Sequence, residues 1–457
     1  MKVIKKVDYF SCNLLNGLQK FGYIFQTCLF ISLVAILVFH SIKCSTSLLL
    51  KQEASFQEWI ESFNRNSLIF KLMYCIRKHL LFDKSYIITL KQESIDIGES
   101  TQKIKYVIPM NLQTVIDWKV NEDNQKLIAF AIFWKGQRRF FYADQNVLLR
   151  VKEYMDGKVT YCNMDLFFKP IKILESNQQS SIQLIQRIDN EQIFACKELK
   201  KLKKYSQQLF QNEVETLKQL THQNIVKLIQ VYESEFEYQI ILQYLKGGSL
   251  NQCLKYCKLN SQEVEIIIHQ ILEAINYMHK NGFVHRDIKP DNILFNDLGQ
   301  FSQLKIIDFG IAKKLQDLEQ DKDMKFGTPG YMAPEMFDYS QKLSEKLDIF
   351  ACGAILYQML TGLKLIIGEN QKEIIANNKN FIVNNQILSK IKQNYYKILV
   401  AQMLEENPQK RISACEALNY LNQMKTQSLS GSLSNQINNL QEPIQKLPNF
   451  KKLINKQ

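Results

Sequence analysis

Val284-His-Arg-Asp-Ile-Lys-Pro-Asp-Asn292 is the stretch on which the reading of this chain turns. It is approached by a segment with clear helix signals. Asn260-Ser-Gln-Glu263 supplies an Asn cap with a Glu three residues on, and Val264, Ile267, Ile268, Ile271, Ile275 and Met278 form one apolar stripe that stops at Asn281-Gly282. The spacing predicts a long helix that delivers the chain to the quoted residues. Beyond them lie Ile306-Ile-Asp-Phe-Gly310 and Gly327-Thr-Pro-Gly-Tyr-Met-Ala-Pro-Glu335. Before the helix the apolar runs are short and strand-like, so the region from 167 to 423 reads as strands first and helices after.

In this order and spacing the three motifs resemble the catalytic loop, the metal-binding motif and the substrate-side segment of eukaryotic protein kinases, the last in its calcium/calmodulin-dependent-kinase-like form. The resemblance implies an α+β fold of two lobes, a small β-rich N-lobe and a larger helical C-lobe. It also implies an ATP- and Mg²⁺-dependent serine/threonine protein kinase acting on protein hydroxyls. Phosphoryl transfer has a loose transition state with charge spread over oxygens, so it needs positioning and cations more than covalent chemistry. On that resemblance Asp287 accepts the substrate hydroxyl proton, and Lys289 neutralises the γ-phosphate, a lysine there pointing to the Ser/Thr branch. Asn292 and Asp308 are hard oxygen ligands for Mg²⁺. Lys197, in Phe194-Ala-Cys-Lys197, holds the α/β-phosphates, with Glu213 as its helical partner in preference to the solvated Glu215. Ile182 and Ala195 above and Leu294 below sandwich adenine, Gln243 and Leu245 read its edge from the backbone, and Leu242 is the gatekeeper. Asp348 and Arg411 match scaffold positions, and Arg411 is expected to pair with Glu335.

One part of the pattern is missing. The phosphate loop of such enzymes is glycine-rich, yet Lys172-Ile-Leu-Glu-Ser-Asn-Gln-Gln-Ser-Ser-Ile-Gln-Leu-Ile-Gln186 contains no glycine, and Glu175, Asn177 and Ser180 fall where three would be. A non-glycine residue forced into a poor backbone region costs about 1 to 3 kcal/mol. The expectation is therefore weakened ATP affinity with catalysis retained, the alternative being a pseudokinase-like signalling scaffold. Against that alternative, Lys197, Asp287, Asn292 and Asp308 are all present. Residues 311 to 326 contain no Ser, Thr or Tyr, so control by phosphorylation there is not expected, and Glu319, Asp321 and Asp323 offer Arg286 permanent negative charge instead.

The front of the chain divides differently. Phe21 to Ile42 carries no charged residue, and 22 residues of helix would rise about 33 Å, enough to cross a bilayer core. The run is also diluted by Gln26, Thr27, Ser32 and His40, so residues 1–45 hold either a membrane span or a buried helix. Residues 46–80 read as a helical linker. From 81 to 158 the runs Tyr86-Ile-Ile-Thr-Leu, Val115-Ile-Asp-Trp, Leu127 to Trp134 and Phe140-Phe-Tyr read as strands, followed by a helix through Met155. A few strands closed by one helix resemble a small pleckstrin-homology-like domain, whose Lys135, Arg138 and Arg139 lie in one hairpin. The last segment, 424–457, is rich in Ser, Asn and Gln and reads as a flexible tail.

The chain has 457 residues and a formal charge of +13. That charge suits acidic partners, such as lipid head groups met through the N-terminal region, but no nucleic-acid-binding motif accompanies it and none is expected to bind. The ten cysteines form no CxxC pair, which speaks for free thiols in a cytoplasmic protein, either free or membrane-associated.

Overall fold

The computed structural model describes residues 73–432, apart from 79–82, 122, 124–125, 202–203, 321–325 and 339. The Phe21–Ile42 run lies outside the described residues. Among those that are described, no helix is long and apolar enough to cross a membrane.

Two antiparallel meanders open the described chain. Strands β1 (Met73–Arg77), β2 (Lys84–Lys91), β3 (Ser94–Gly98) and β4 (Ile104–Pro109) form the first. The second contains β5 (Val115–Val120), β6 (Leu127–Trp134) and β7 (Gln137–Tyr142). They meet where Ile76 of β1 pairs with Tyr142 of β7, and helix α1 (Gln145–Met155) follows. Residues 73–77 therefore correct the helical-linker expectation. Met73 and Cys75 are buried while Tyr74 and Ile76 are exposed, the two-residue period of a half-buried strand, and the ladder to β2 fixes it. In the hairpin between β6 and β7, Lys135 and Gly136 both take positive φ as a two-residue turn requires. Arg138 there pairs with Asp117 at 2.9 Å.

A second β-rich layer follows: β9 (Phe168–Ser176), β10 (Ser180–Arg187), β11 (Ile193–Lys200), helix α2 (Lys204–Gln219), β12 (Leu228–Glu233) and β13 (Glu237–Gln243). The two-residue strand β8 (Thr160–Tyr161) lies parallel to both β5 and β12, so the sheet is continuous in the order β4-β3-β2-β1-β7-β6-β5-β8-β12-β13-β11-β10-β9. Packing joins the layers as well. Phe168, Ile185, Phe194, Cys196, Tyr232 and Ile241 share one core with Phe130, Phe141, Met155 and Tyr161. Alternation along β11 explains how: Phe194 and Cys196 face that core, while Ala195, Lys197 and Leu199 face the other way. A buried polar cluster crosses the same seam, with Asp156 accepting from Lys152 (3.1 Å), Tyr161 (2.8 Å) and Gln230 of β12 (3.1 Å). Burial lowers the pKa of Lys152, and Asp156 offsets part of that effect.

The helical lobe comprises α3 (Leu250–Tyr256), α4 (Ser261–Lys280), α5 (Lys346–Thr361), α6 (Gln371–Lys379), α7 (Asn385–Leu388), α8 (Asn394–Met403) and α9 (Ala414–Ser432). The cap predicted for α4 is formed in both directions between Asn260 and Glu263. Helix α5 is buried from Leu347 through Met359, an all-round apolar helix at the centre of the lobe. Arg411 grips Glu335 with two bonds of 2.6 and 3.0 Å, and both residues are buried. Helix α9 continues to Ser432, so residues 424–432 are not the flexible tail that composition suggested; the rest of that tail lies outside the described residues.

Candidate active site

Helix α4 ends at Lys280, and β14 (Phe283–Val284) carries the chain into the quoted stretch. There the backbone is held from below by Asp348, the third residue of α5. Its carboxylate accepts the N–H of His285 and of Arg286, each at 2.9 Å, and meets His279 Nε2 at 3.0 Å. Burial opposes the charge on Asp348, but the hydrogen bond with His279 and the backbone donors prevail, so its carboxyl stays below the ordinary range. This anchor lets Arg286 hold a left-handed φ of 69°, a conformation that persists in a non-glycine residue only where its surroundings impose it.

Asp287 is enclosed on three sides. Thr328 Oγ1 donates to its Oδ1 (2.6 Å), Lys289 Nζ reaches its Oδ2 (2.7 Å), and Asn292 Nδ2 donates to its carbonyl (2.9 Å) and Oδ2 (3.2 Å). Lys289 also donates to Thr328 Oγ1 at 2.8 Å. Asn292 immediately precedes β15 (Ile293–Phe295), which pairs with β16 (Leu304–Ile306); the Ile293–Ile306 register and the Ile307 N–H to Asn292 carbonyl bond bring Asn292 alongside the turn that holds Asp308.

The second centre is built from three elements. Lys197 of β11 extends its ammonium to Glu213 Oε2 of α2 and to Asp308 Oδ1, both at 2.7 Å. Burial works against the charge on Lys197, but the two carboxylates outweigh it and raise its pKa. Glu213 is almost fully buried, and burial pushes its carboxyl up against the partly compensating pull of Lys197. The Lys197 ammonium holds Asp308 down to about 2. Beyond its contact with Lys197, 44% of the Asp308 side chain stays exposed. It too has a positive φ, 65°. Glu215, two residues from Glu213, is exposed.

A carboxylate and a carboxamide side by side are hard oxygen donors, and Asn292 has its Nδ2 turned to Asp287. Among the described residues no group of three or more His, Cys, Asp or Glu could hold a metal by itself. The set fits Mg²⁺, which is commonly held by one or two protein ligands together with substrate phosphates.

Around this centre, Ile182 pairs with Lys197 and Leu184 with Ala195 in the β10–β11 ladder, and Ala195 pairs with Leu242 of β13. Strand β13 ends at Gln243, whose N–H is taken by the carbonyl of Lys227. Leu245 lies just past it. The chain then crosses to the helical lobe at Gly247, where a Cβ would lie 2.6 Å from the carbonyl oxygens of Phe295 and Asp297, so only glycine fits. Leu294 is half-buried on the lower side, in a bridge with Ser249.

The glycine-free loop is an ordinary hairpin. Asn177 Oδ1 accepts the N–H of Gln179 (2.8 Å) and of Ser180 (2.9 Å), and the Asn177 N–H donates to the Ser180 carbonyl (2.9 Å). No residue from 175 to 181 has a positive φ. Backbone strain, the expected consequence of losing glycine, is thus absent. The loop instead satisfies with its own side chain two amides that could otherwise face an anion.

Two contacts escaped the sequence reading. Asn212, next to Glu213, reaches the backbone after Asp308, and the Arg286 guanidinium lies 4.6 Å from the centre of the Phe326 ring with its Nε on the Ile311 carbonyl (2.6 Å). The expected meeting of Arg286 with the side chains of Glu319, Asp321 and Asp323 lies outside what is described.

A lobe of five strands and one helix joins a helical lobe, and a lysine–glutamate pair and an aspartate-centred loop face each other between them. The protein kinase domain family model matches residues 170–421, more than half the chain, and the chain belongs to the protein kinase family with its two-lobed fold. A probable serine/threonine-protein kinase 2 of Plasmodium falciparum is 35% identical over 213 residues, 46% of this chain and 41% of that protein. A calcium-dependent protein kinase 3 of Plasmodium yoelii yoelii is 33% identical over 222 residues, 46% of this chain and 39% of that protein. The chain thus matches about two fifths of the length of these relatives.

Proposed function

We propose that this protein is an active serine/threonine kinase that transfers the γ-phosphoryl group of ATP to protein hydroxyls, with modest affinity for ATP. The observation that carries the reading is the enclosure of Asp287 by Lys289, Thr328 and Asn292, beside a Lys197 paired to both Glu213 and Asp308.

In the reaction, Asp287 takes the proton from a substrate hydroxyl as that oxygen forms its bond to the γ-phosphorus, and the bond to the β–γ bridging oxygen breaks to release ADP. Lys289, already between Asp287 and Thr328, balances charge on the moving phosphoryl group. Lys197 orients the α- and β-phosphates, and Glu213 keeps the ammonium from turning away. Asn292 and Asp308 would hold Mg²⁺, which supplies positive charge across the phosphates. Ile182, Ala195 and Leu294 provide the apolar walls for adenine, and the backbone of Gln243 and Leu245 provides its edge. The scaffold alternative draws on the loop, whose amides are already occupied by Asn177.

The strand order β4-β3-β2-β1-β7-β6-β5 followed by α1 supports a pleckstrin-homology-like reading of the N-terminal layer. Its shared core with β9–β13 favours a role as a fixed buttress, and Arg138, tied to Asp117, is spent on packing more than on lipid. The candidate membrane anchor, as against a cytoplasmic protein without one, is the uncharged run from Phe21 to Ile42; fractionation of a variant lacking residues 1–45 tests this, and an unchanged pellet fraction excludes an anchor there. The substrate class is tested by phosphoamino-acid analysis of proteins labelled by the purified chain. Phosphoserine and phosphothreonine are expected, and phosphotyrosine as the main product contradicts the Ser/Thr assignment.

A further inference from the structure

Asn212 precedes Glu213 on α2, and its side chain turns to the backbone that follows Asp308. Its Nδ2 lies 2.8 Å from the Gly310 carbonyl, 2.7 Å from that of Ala312 and 3.3 Å from that of Phe309. The nitrogen carries two hydrogens, so the two short contacts are full bonds and the third is shared. The orientation is fixed by chemistry, because the flipped carboxamide would set its oxygen against three carbonyl oxygens.

What this contact holds is otherwise costly to hold. Asp308 sits at a φ of 65°, and Phe309 is fully buried with its ring 4.9 Å from that of His285. A left-handed aspartate persists only where neighbours over-determine it. Two contacts do so from the small lobe: Lys197 on the carboxylate, and Asn212 on the carbonyls just beyond. Because Asn212 and Glu213 are consecutive, the helix that orients Lys197 is also the element that fixes the backbone after the metal-binding aspartate.

We propose that Asn212 is a positioning residue that fastens α2 to residues 309–312, so that the Lys197–Glu213 pair and the inward Asp308 form and are lost as one unit. Its effect on turnover rests on the kinase reading; the fastening itself does not.

The test uses the full chain with Asn212→Leu, which keeps the γ-branching and the number of heavy atoms and removes the donors, and Asn212→Asp, which replaces donors by an acceptor. Gln211→Leu on the same helix is the control. Hydrogen–deuterium exchange without nucleotide or metal should show peptides across 306–318 exchanging about tenfold faster in both Asn212 variants, the cost of two lost hydrogen bonds, with Gln211→Leu at the wild-type rate. In phosphotransfer, kcat should fall about tenfold at limiting Mg²⁺ and recover as Mg²⁺ is raised, because the metal binds only the arrangement with Asp308 inside and draws the population back. Wild-type protection of 306–318 in both variants overturns the proposal, as does a kcat deficit that Mg²⁺ leaves unchanged. Lost protection in a protein whose wild type transfers no phosphate would keep the fastening and remove the kinase reading.

Discussion

Replacing Asn177 and Ser180 together by glycine should tighten ATP binding, and the structure allows the size to be worked out. The change removes the Asn177 carboxamide that accepts the Gln179 and Ser180 amides, bonds missing from the free and the ATP-bound variant alike, so their loss of about 1 kcal/mol each weighs on the fold and not on binding. Two glycines in an ordered loop cost about 0.5 to 1 kcal/mol each in lost freedom. In return two amides become available to a triphosphate, and a hydrogen bond to a charged acceptor contributes about 1.5 to 3 kcal/mol. For an exposed loop the low end of the gain, about 3 kcal/mol, against the high end of the glycine cost, about 2 kcal/mol, leaves about 1 kcal/mol, or about fivefold in affinity. Direct titration with a fluorescent ATP analogue should show the tightening, and steady-state kinetics should show a lower KM for ATP with kcat less affected, because Asp287 is held by Thr328, Lys289 and Asn292 and not by the loop. Unchanged or weaker binding would refute the idea that the Asn177 side chain competes with phosphate for these amides.

Glu335→Gln should lower stability by about 3 kcal/mol, because it leaves the Arg411 guanidinium buried without its charge partner; a thermal midpoint equal to wild type would show that the fork is not needed. Truncation through Lys158 should give an aggregating protein, since Phe168, Ile185, Phe194, Cys196, Tyr232 and Ile241 lose their shared core and each fully buried side chain is worth about 1.5 to 3 kcal/mol. A soluble fragment with wild-type thermal stability contradicts that. Phosphatase treatment should leave basal activity intact, because residues 311 to 326 offer no hydroxyl and Arg286 is occupied by Ile311 and Phe326; loss of activity traced to Thr328 would reverse the conclusion.

The arrangement of the cleft was legible because it is written in short local motifs. Asp287, Lys289 and Asn292 lie within six residues, and the structure sets them around one carboxylate. Glu213 was separable from Glu215 because helix geometry allows only one of two residues two apart to face inward. What escaped depends on distant partners. Strand β3 is short and carries Asp96 at a buried position, a residue that reads as surface until its salt bridge with Lys91 is seen. Strand β8 has two residues, too few for any periodicity, yet it joins the two halves of the sheet. Asn212 meets carbonyls about a hundred positions away, which no local pattern announces. The Asn177 turn does carry a signal, since an Asn followed by polar residues between two strands favours a side-chain-closed turn.

The proposed phosphotransfer depends on Asp287 acting as the base. Its most direct test is phosphate transfer from ATP to a protein substrate by the full chain, measured beside Asp287→Asn, which keeps the size of the side chain and removes its basicity. Transfer by the wild type, reduced about a hundredfold or more in the variant, is the predicted result. Equal transfer by both proteins would contradict it.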